Sequence, residues 1–430
     1  MTRIQVSIAL LALMLPLTLA VGASANDFEH SARFLGLADT GNAVYNTPYN
    51  EPVFENIAAL AESPKYFIGG DARSIITSGY GAETNTDYTL LGVTSGGSVK
   101  SASRLNKEDD PKSWANRVAL LVQPGFEADY QRITTNEDTT ALELVDTRLE
   151  VSPVFRLGVA YGFHDIFSMG LGLTFTPTTL FRNSITGTQD TPSGNENKDV
   201  EESWFINGPI VVQPEIGFLF RTNNGHQFGL NYEVGMKATT KTDVTHTQPE
   251  DDIDYETEAA VIKPHNIGVG WAYEIPKVDR FFVAMDVDVY FRDTFEGDTI
   301  DPRSGRDYYV YNSEATKDEP EPFEGPYDPN ETGFGEKFYA STNNRFVVSA
   351  AVEKAWETIA IRGGMGYSHE NGLDRDRPKS VFYMTAGPSV YFDDVIFLAA
   401  GGRFEIGFQR AETTYGLAGG GASITMGGSF

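Results

Sequence analysis

From Arg280 to Arg292 the chain reads R-F-F-V-A-M-D-V-D-V-Y-F-R, and its odd and even positions differ in chemistry. Phe281, Val283, Met285, Val287, Val289 and Phe291 share one face of an extended chain, while Ala284, Asp286, Asp288, Tyr290 and Arg292 share the other. Successive side chains of a strand point to opposite faces, so such a segment meets an apolar medium on one side and water on the other. The pattern recurs along the chain. Beyond the first 25 residues no segment approaches the roughly 20 apolar residues a membrane-crossing helix needs. Strands crossing a bilayer satisfy their backbone groups only when the sheet closes on itself. The sequence therefore predicts an all-β fold, a transmembrane antiparallel β-barrel of the outer-membrane kind.

Three further features agree with that placement. Residues 1–25 read as a signal peptide, with Arg3 as a basic start, an apolar stretch from Ile8 to Ala20 and an Ala23-Ser24-Ala25 cleavage site. A membrane anchor is the alternative, but Pro16 interrupts a run already too short to span. Export to the periplasm and residence in the outer membrane are expected. The chain contains no cysteine, which removes disulfides, thiol catalysis, Cys-ligated metals and a lipidated N-terminal Cys. Its formal charge of −27 argues against nucleic acid as a partner, because a phosphate backbone calls for a basic footprint.

Period-2 alternation marks about fourteen strands, near 66–77, 84–95, 116–132, 139–163, 167–182, 204–221, 226–241, 257–274, 280–294, 339–354, 358–369, 379–392, 395–411 and 413–430. An even count suits a single-chain barrel with both ends on the periplasmic side. Short connections at 162–165, 222–225, 276–279, 355–357 and 393–394 alternate with long polar ones at 183–203, 242–256, 295–338 and 370–378. That asymmetry puts the long loops outside and the short turns in the periplasm. Two of the long loops are acidic. Glu296–Glu336 holds twelve Asp and Glu against Arg303, Arg306 and Lys317, and Glu250–Glu256 is a second cluster. They read as solvated surface, with divalent-cation binding as the alternative and no metal-ligand spacing to assign.

The lipid face includes Phe155, Leu157, Val159 and Tyr161, then Leu171, Leu173, Phe228, Leu230, Val269 and Trp271. Phe163, Phe167, Phe220, Tyr273, Phe281, Trp356, Phe392 and Phe397 gather beside the short turns, where an interfacial aromatic girdle belongs. The opposite face carries Arg156, Glu215, Glu233, Lys237, Asp286, Asp288, Arg292, Arg362, Arg403 and Glu405. Buried charge is tolerated when it is paired or wet, so this balanced set predicts a lumen network of ion pairs and contacts to an inserted segment. Gly158, Gly170, Gly172, Gly229, Gly268, Gly270, Gly364 and Gly366 lie on the same face, and inward glycine admits a second backbone at close range.

The candidate for that second backbone is residues 26–65, ahead of the barrel proper at 66–430. This stretch does not alternate, yet it holds Phe34, Leu35, Leu37, Val44, Tyr45, Phe54, Ile57 and Leu60, too apolar for a solvated tail. A folded plug is the better reading. Here the chain resembles the long-chain fatty acid transporter family of outer membranes, the FadL type. Ser31-Ala32-Arg33 with Gly36, then Gly41-Asn42-Ala43-Val44, then Asn56-Ile57-Ala58 and Leu60 stand where that family has its small-residue turns and an Asn-Pro-Ala, with Ile57 replacing the proline. Ser152-Pro153-Val154-Phe155 through Ala160-Tyr161, a short turn, and Ser168-Met169-Gly170-Leu171-Gly172-Leu173 resemble a recurrent hairpin of the family, and the terminal Phe430 fits its aromatic ending.

The resemblance implies a fourteen-stranded barrel closed by an N-terminal hatch, which captures a hydrophobic ligand between external loops and releases it through the wall at a kink in the third strand. Gln123-Pro124-Gly125 falls within the third strand here. Proline gives no donor to the ladder and glycine beside it favours a bulge, so a wall defect is expected there on physical grounds too; Pro153, Pro214 and Pro388 also interrupt strands, and an ordinary bulge is the alternative. Expected partners are a hydrophobic small molecule, outer-membrane lipid and lipopolysaccharide, and the barrel-assembly machinery through the last strand ending at Phe430. No cofactor, metal or enzymatic activity is expected. G-x-S-x-G, H-E-x-x-H and P-loop motifs are missing, and the histidines at 30, 164, 226, 246, 265 and 369 are scattered. Two other readings stay open: a general diffusion porin, and a barrel serving secretion or adhesion.

Overall fold

A computed structural model describes residues 31–44, 52–83, 86–105, 116–137, 142–163, 166–177, 179–186, 200–207, 210–247, 252–275, 278, 280–291, 294–298, 308–311, 337–341, 344–370, 379–392, 395–410 and 414–429. The first four strands are long: β1 (Tyr66–Glu83), β2 (Thr86–Arg104), β3 (Asn116–Glu137) and β4 (Leu142–Phe163). The next staves are each broken in two: β5 (Phe167–Thr176) with β6 (Thr179–Thr186), β7 (Val200–Asn207) with β8 (Val211–Arg221), β9 (His226–Glu233) with β10 (Met236–Thr247), β11 (Asp252–Lys263) with β12 (His265–Glu274), and β13 (Phe281–Phe291) with β14 (Thr294–Asp298). A short β15 (Tyr308–Tyr311) is an extra strand paired to β11. The rest are β16 (Lys337–Ser341) with β17 (Arg345–Ala355), β18 (Ile359–Glu370), β19 (Lys379–Phe392), β20 (Ile396–Arg410) and β21 (Thr414–Ser429). These make fourteen antiparallel staves.

The sheet closes where β1 meets β21, in register from Phe67↔Ser429 to Tyr80↔Gly416. Both ends of the wall lie at the short-turn end, with the Ser429 N–H donating to the Val395 carbonyl at 2.8 Å. Along β13 the expected alternation holds: Met285 and Val287 are exposed, Ala284 and Asp286 buried. The same holds on β4, where Phe155, Leu157, Val159 and Tyr161 face out and Val154, Arg156 and Ala160 face in. Such an outer wall is stable only against an apolar medium.

Strand ends differ from the sequence expectation at the external end. A membrane strand needs only about 9–11 residues, yet β3 and β4 have 22 each. The hairpin therefore continues well past the apolar band. β2 runs to Arg104 instead of ending near 95, and the expected loop at 242–256 is largely strand, since β10 and β11 pair from Met236↔Lys263 to Thr247↔Asp252. Outside the bilayer both faces meet water, so the apolar–polar contrast that marks a strand is lost. Much of the acidic segment 296–336 lies outside the described residues, as do the signal segment, residues 45–51, Arg292 and Phe430.

The N-terminal segment lies inside the cylinder. Helix α1 (Ala32–Gly36) packs against β18–β21, and a 3₁₀ helix at Ile57–Glu62 packs against β3, β4, β5 and β8. Ser31 caps α1 by accepting from the Phe34 N–H at 3.2 Å, and Asn56 caps the second helix by accepting from the Ala58 N–H at 3.0 Å. Phe34, Leu35, Leu37, Phe54, Ile57 and Leu60 are each at most 2% exposed. Burial contributes roughly 1.5–3 kcal/mol for each such side chain, which is what holds so short a segment in place. One girdle residue is corrected: Phe397 points inward, stacked on Phe67 at 6.2 Å, and Phe67 in turn meets Phe54 of the segment edge-on. Phe163, Phe167, Phe220, Trp356 and Phe392 face out, as the girdle requires.

Candidate functional site

Two structures built from the residues already singled out deserve description: the contact between the N-terminal segment and the lumen wall, and the interruptions of the wall itself. The first begins with Asp286. Its Oδ2 accepts from the backbone N–H groups of Gly41 and Asn42, each at 2.7 Å, and the Asn42 Nδ2 donates to Asp288 Oδ1 at 2.9 Å. Bonds to an ionised acceptor are the strong kind. Asn56 Nδ2 donates to the Asn42 carbonyl at 2.9 Å and to the Phe218 carbonyl at 3.1 Å, so it ties the two halves of the segment to each other and to β8. The inward glycines explain how the backbones come so close. A Cβ on Gly229 would overlap the Asn42 carbonyl oxygen, and one on Gly170 would lie 2.6 Å from the Ile57 carbonyl carbon. Gly158, Gly268, Gly270 and Gly364 also face the segment, whereas Gly172 and Gly366 accommodate Glu215 and Tyr383 of the wall.

Ion pairs complete the contact. Arg156 meets Glu215 at 2.5 Å, and Arg403 meets both Asp39 at 2.6 Å and Glu405 at 3.0 Å while lying over the Tyr383 ring. Arg362 lies 3.2 Å from Glu353, which also receives Arg33 of α1 at 2.9 Å; Gly36 leaves room for the Arg362 stem. Glu233 sits opposite Glu215 in the register. The side chain of Lys237 lies outside the described residues. Sequence reading missed Arg33, Asp39, Glu353, Asp71 and Lys100. Glu353 has the inward parity of β17 and was legible. Arg33 and Asp39 lie in a segment without period, and Asp71 and Lys100 lie on strands whose glycines blur the alternation.

The second structure is a set of gaps. Each of four prolines keeps its pairing with one neighbouring strand and loses it with the other. Pro124 pairs with Phe155 of β4, but on the β2 side the ladder steps from Ser98↔Gly125 to Ser101↔Val122, and the two pairs between are missing. Pro388 pairs with Ile361 of β18 and breaks the β19–β20 ladder between Ala386↔Gly402 and Ser389↔Ala399. Pro153 pairs with Phe126, while β4 loses its partner between β5 and β6; Pro214 pairs with Leu173, and the β8–β9 ladder ends beside it at Glu215↔Glu233. The missing N–H faces one side only, which is the physical reason.

The gaps are backed differently. Behind the Pro388 break lies α1, with the Ala32 carbonyl oxygen and Leu35 against Gly401. Behind the Pro124 break lies a polar cluster. Gln123 Nε2 donates to Ser98 Oγ at 2.9 Å; Ser98 Oγ and N–H both donate to Asp71 Oδ1, at 2.9 and 3.1 Å; and Lys100 Nζ meets Asp71 Oδ2 at 2.8 Å. Beside this break the strict in–out alternation fails, since Ser95 to Ser98 are all buried and so are Glu127 and Ala128 opposite them. The register sum is unchanged across the gap, so the expected bulge is instead a break in pairing with the wall bent inward.

A fourteen-stranded transmembrane barrel with a lumen-buried N-terminal segment and a broken third strand is a defined class of fold. The chain shares that fold with a Pseudomonas aeruginosa FadL homologue, at a TM-score of 0.61 and 10% identity over 96% of this chain and 100% of the other. It shares it equally with the Pseudomonas putida toluene transporter TodX, at 0.59 and 11% identity over 96% and 100%, and with the Ralstonia pickettii toluene transporter TbuX, at 0.59 and 11% over 94% and 99%. No family model matches the sequence. No curated protein matches it either.

Proposed function

We propose that this chain is an outer-membrane transporter that takes up hydrophobic compounds, long-chain fatty acids among them, with its N-terminal segment as plug and the Pro124 break as a sideways exit. The observation that carries the reading is the break itself. It lies in the third strand, opens toward β2, and sits where the wall bends inward beside a filled lumen. A hydrophobic cargo leaving through the wall reaches lipid without crossing water, which suits a molecule that dissolves poorly in the periplasm. The solved neighbours that are named transporters or channels support a non-enzymatic role. Export by residues 1–25, delivery to the outer membrane by the assembly machinery through the last strand, and contact with lipopolysaccharide belong to the same proposal.

The diffusion-porin reading needs an open wet lumen, and the buried segment counts against it. The test pairs two measurements on the full-length protein. Cells lacking their own fatty acid transporter, when given this one, take up labelled oleate, and the purified barrel in planar bilayers carries little steady current. A large stable conductance together with no oleate uptake would overturn the proposal in favour of a porin.

A further inference from the structure

Four proline breaks perforate the ladder, but only the one at Pro124 is backed by a charged cluster with Lys100 and Asp71 at its centre, 2% and 1% exposed. A buried ion pair is seldom more stabilising than apolar side chains of the same size, because desolvating both charges offsets their attraction. Riveting the wall is therefore a weak reason for this pair. Its geometry says more. Three donors converge on one carboxylate: the Lys100 ammonium at 2.8 Å, the Ser98 hydroxyl at 2.9 Å and the Ser98 N–H at 3.1 Å. Gln123, next to Pro124, donates to the Ser98 oxygen at 2.9 Å and so turns the hydroxyl proton toward Asp71. The missing pairs are those of Val99 with Pro124 and of Lys100 with Gln123, so two of the four groups sit on residues whose cross-strand pairing is lost.

We infer that these donors form a carboxylate site at the exit, occupied at rest by the Asp71 side chain, and that the anionic head of an amphiphilic cargo exchanges with Asp71 at Lys100. The inference rests on the transport reading above and deepens it: the favoured cargo is a carboxylate-bearing amphiphile, and a neutral hydrocarbon lacks the group that displaces Asp71. Nothing in the donor set distinguishes the resident carboxylate from an arriving one, whereas an ester offers no charge to Lys100. The resting pair keeps the break neutral and shut. The exchanged state keeps the same donors satisfied, so Lys100 is never left without a counter-charge.

The test compares oleate with methyl oleate in cells and in binding to the purified full-length barrel. Asp71→Asn leaves the cation without its resident partner, and the double variant Asp71→Asn/Lys100→Met removes both charges at nearly constant shape. Lys100→Arg keeps the charge. Heat-modifiable mobility on a gel reports that each is assembled. The acid-to-ester uptake ratio is expected to fall about tenfold in the double variant and to persist in Lys100→Arg, while oleate binds Asp71→Asn about tenfold more tightly than wild type, with the ester unchanged. A wild type that takes up neither compound overturns the transport reading itself. A wild type that takes up both, with a ratio the double variant leaves in place, overturns the exchange site alone. If the double variant does not assemble, oleate binding to Asp71→Asn no tighter than to wild type does the same.

Discussion

Asp286 illustrates how a single side chain decides whether the lumen is filled. Two backbone N–H groups of the N-terminal segment end on one of its oxygens, at 2.7 Å each. Asp286→Ala strands both donors in a buried place, at about 1–3 kcal/mol apiece. The expected result is a loss of hydrogen-exchange protection at Gly41 and Asn42 while the wall strands keep theirs. Gly229 makes the complementary case. Its missing side chain is where the Asn42 carbonyl lies, so Gly229→Ala overpacks the contact and costs about 1–3 kcal/mol. That variant should release the segment to added protease without lowering the amount of folded barrel. Both residues were legible in the sequence as inward-facing. Which backbone they meet was not, because the segment from 31 to 65 has no period to align against the wall.

Proline acts at the scale of the strand, and its effect has a direction. Pro124 and Pro388 each cut one ladder by two pairs, yet only Pro388 has a helix behind it. Pro124→Ala supplies the missing donor toward β2 and should reduce oleate uptake, with exchange at Val99 to Ser101 slowed. Pro388→Ala repairs a gap already sealed by α1, so its uptake should match wild type; equal losses for the two variants would remove the special role of the third strand. Residue order revealed the candidate prolines but not which side each one opens, since that depends on which way the absent N–H points in the ladder. Strand positions inside the bilayer were readable from two-faced chemistry. The external ends of β2, β10 and β11 were not, because there both faces meet the same solvent.

For the molecule as a whole, the wall and its contents are separable. β1 pairs with β21 over fourteen residue pairs, so the cylinder closes without help from residues 31–65. Deleting residues 26–60 should leave an assembled, heat-modifiable barrel and raise its steady conductance in planar bilayers. An unchanged conductance would mean that the buried segment does not obstruct the lumen. The charge-balanced interior and the glycine-lined face were visible in the sequence as the need for an occupant, and the number of staves followed from the count of two-faced runs.

The Ala32 N–H donates to Thr425 Oγ1 at 2.7 Å, so the first helix of the chain is fastened to its last strand. This gives assembly a clock. Thr425 is among the last residues synthesised, and until it arrives the helix has no berth on that side. A sheet that curls around the waiting helix can dock it sideways and then zip β1 to β21 over it. A sheet that zips first leaves the helix to enter a finished tube end-on, past the side chains meant to hold it. The order in which the ends of the chain meet thus decides whether the barrel is born sealed or has to be corked afterwards.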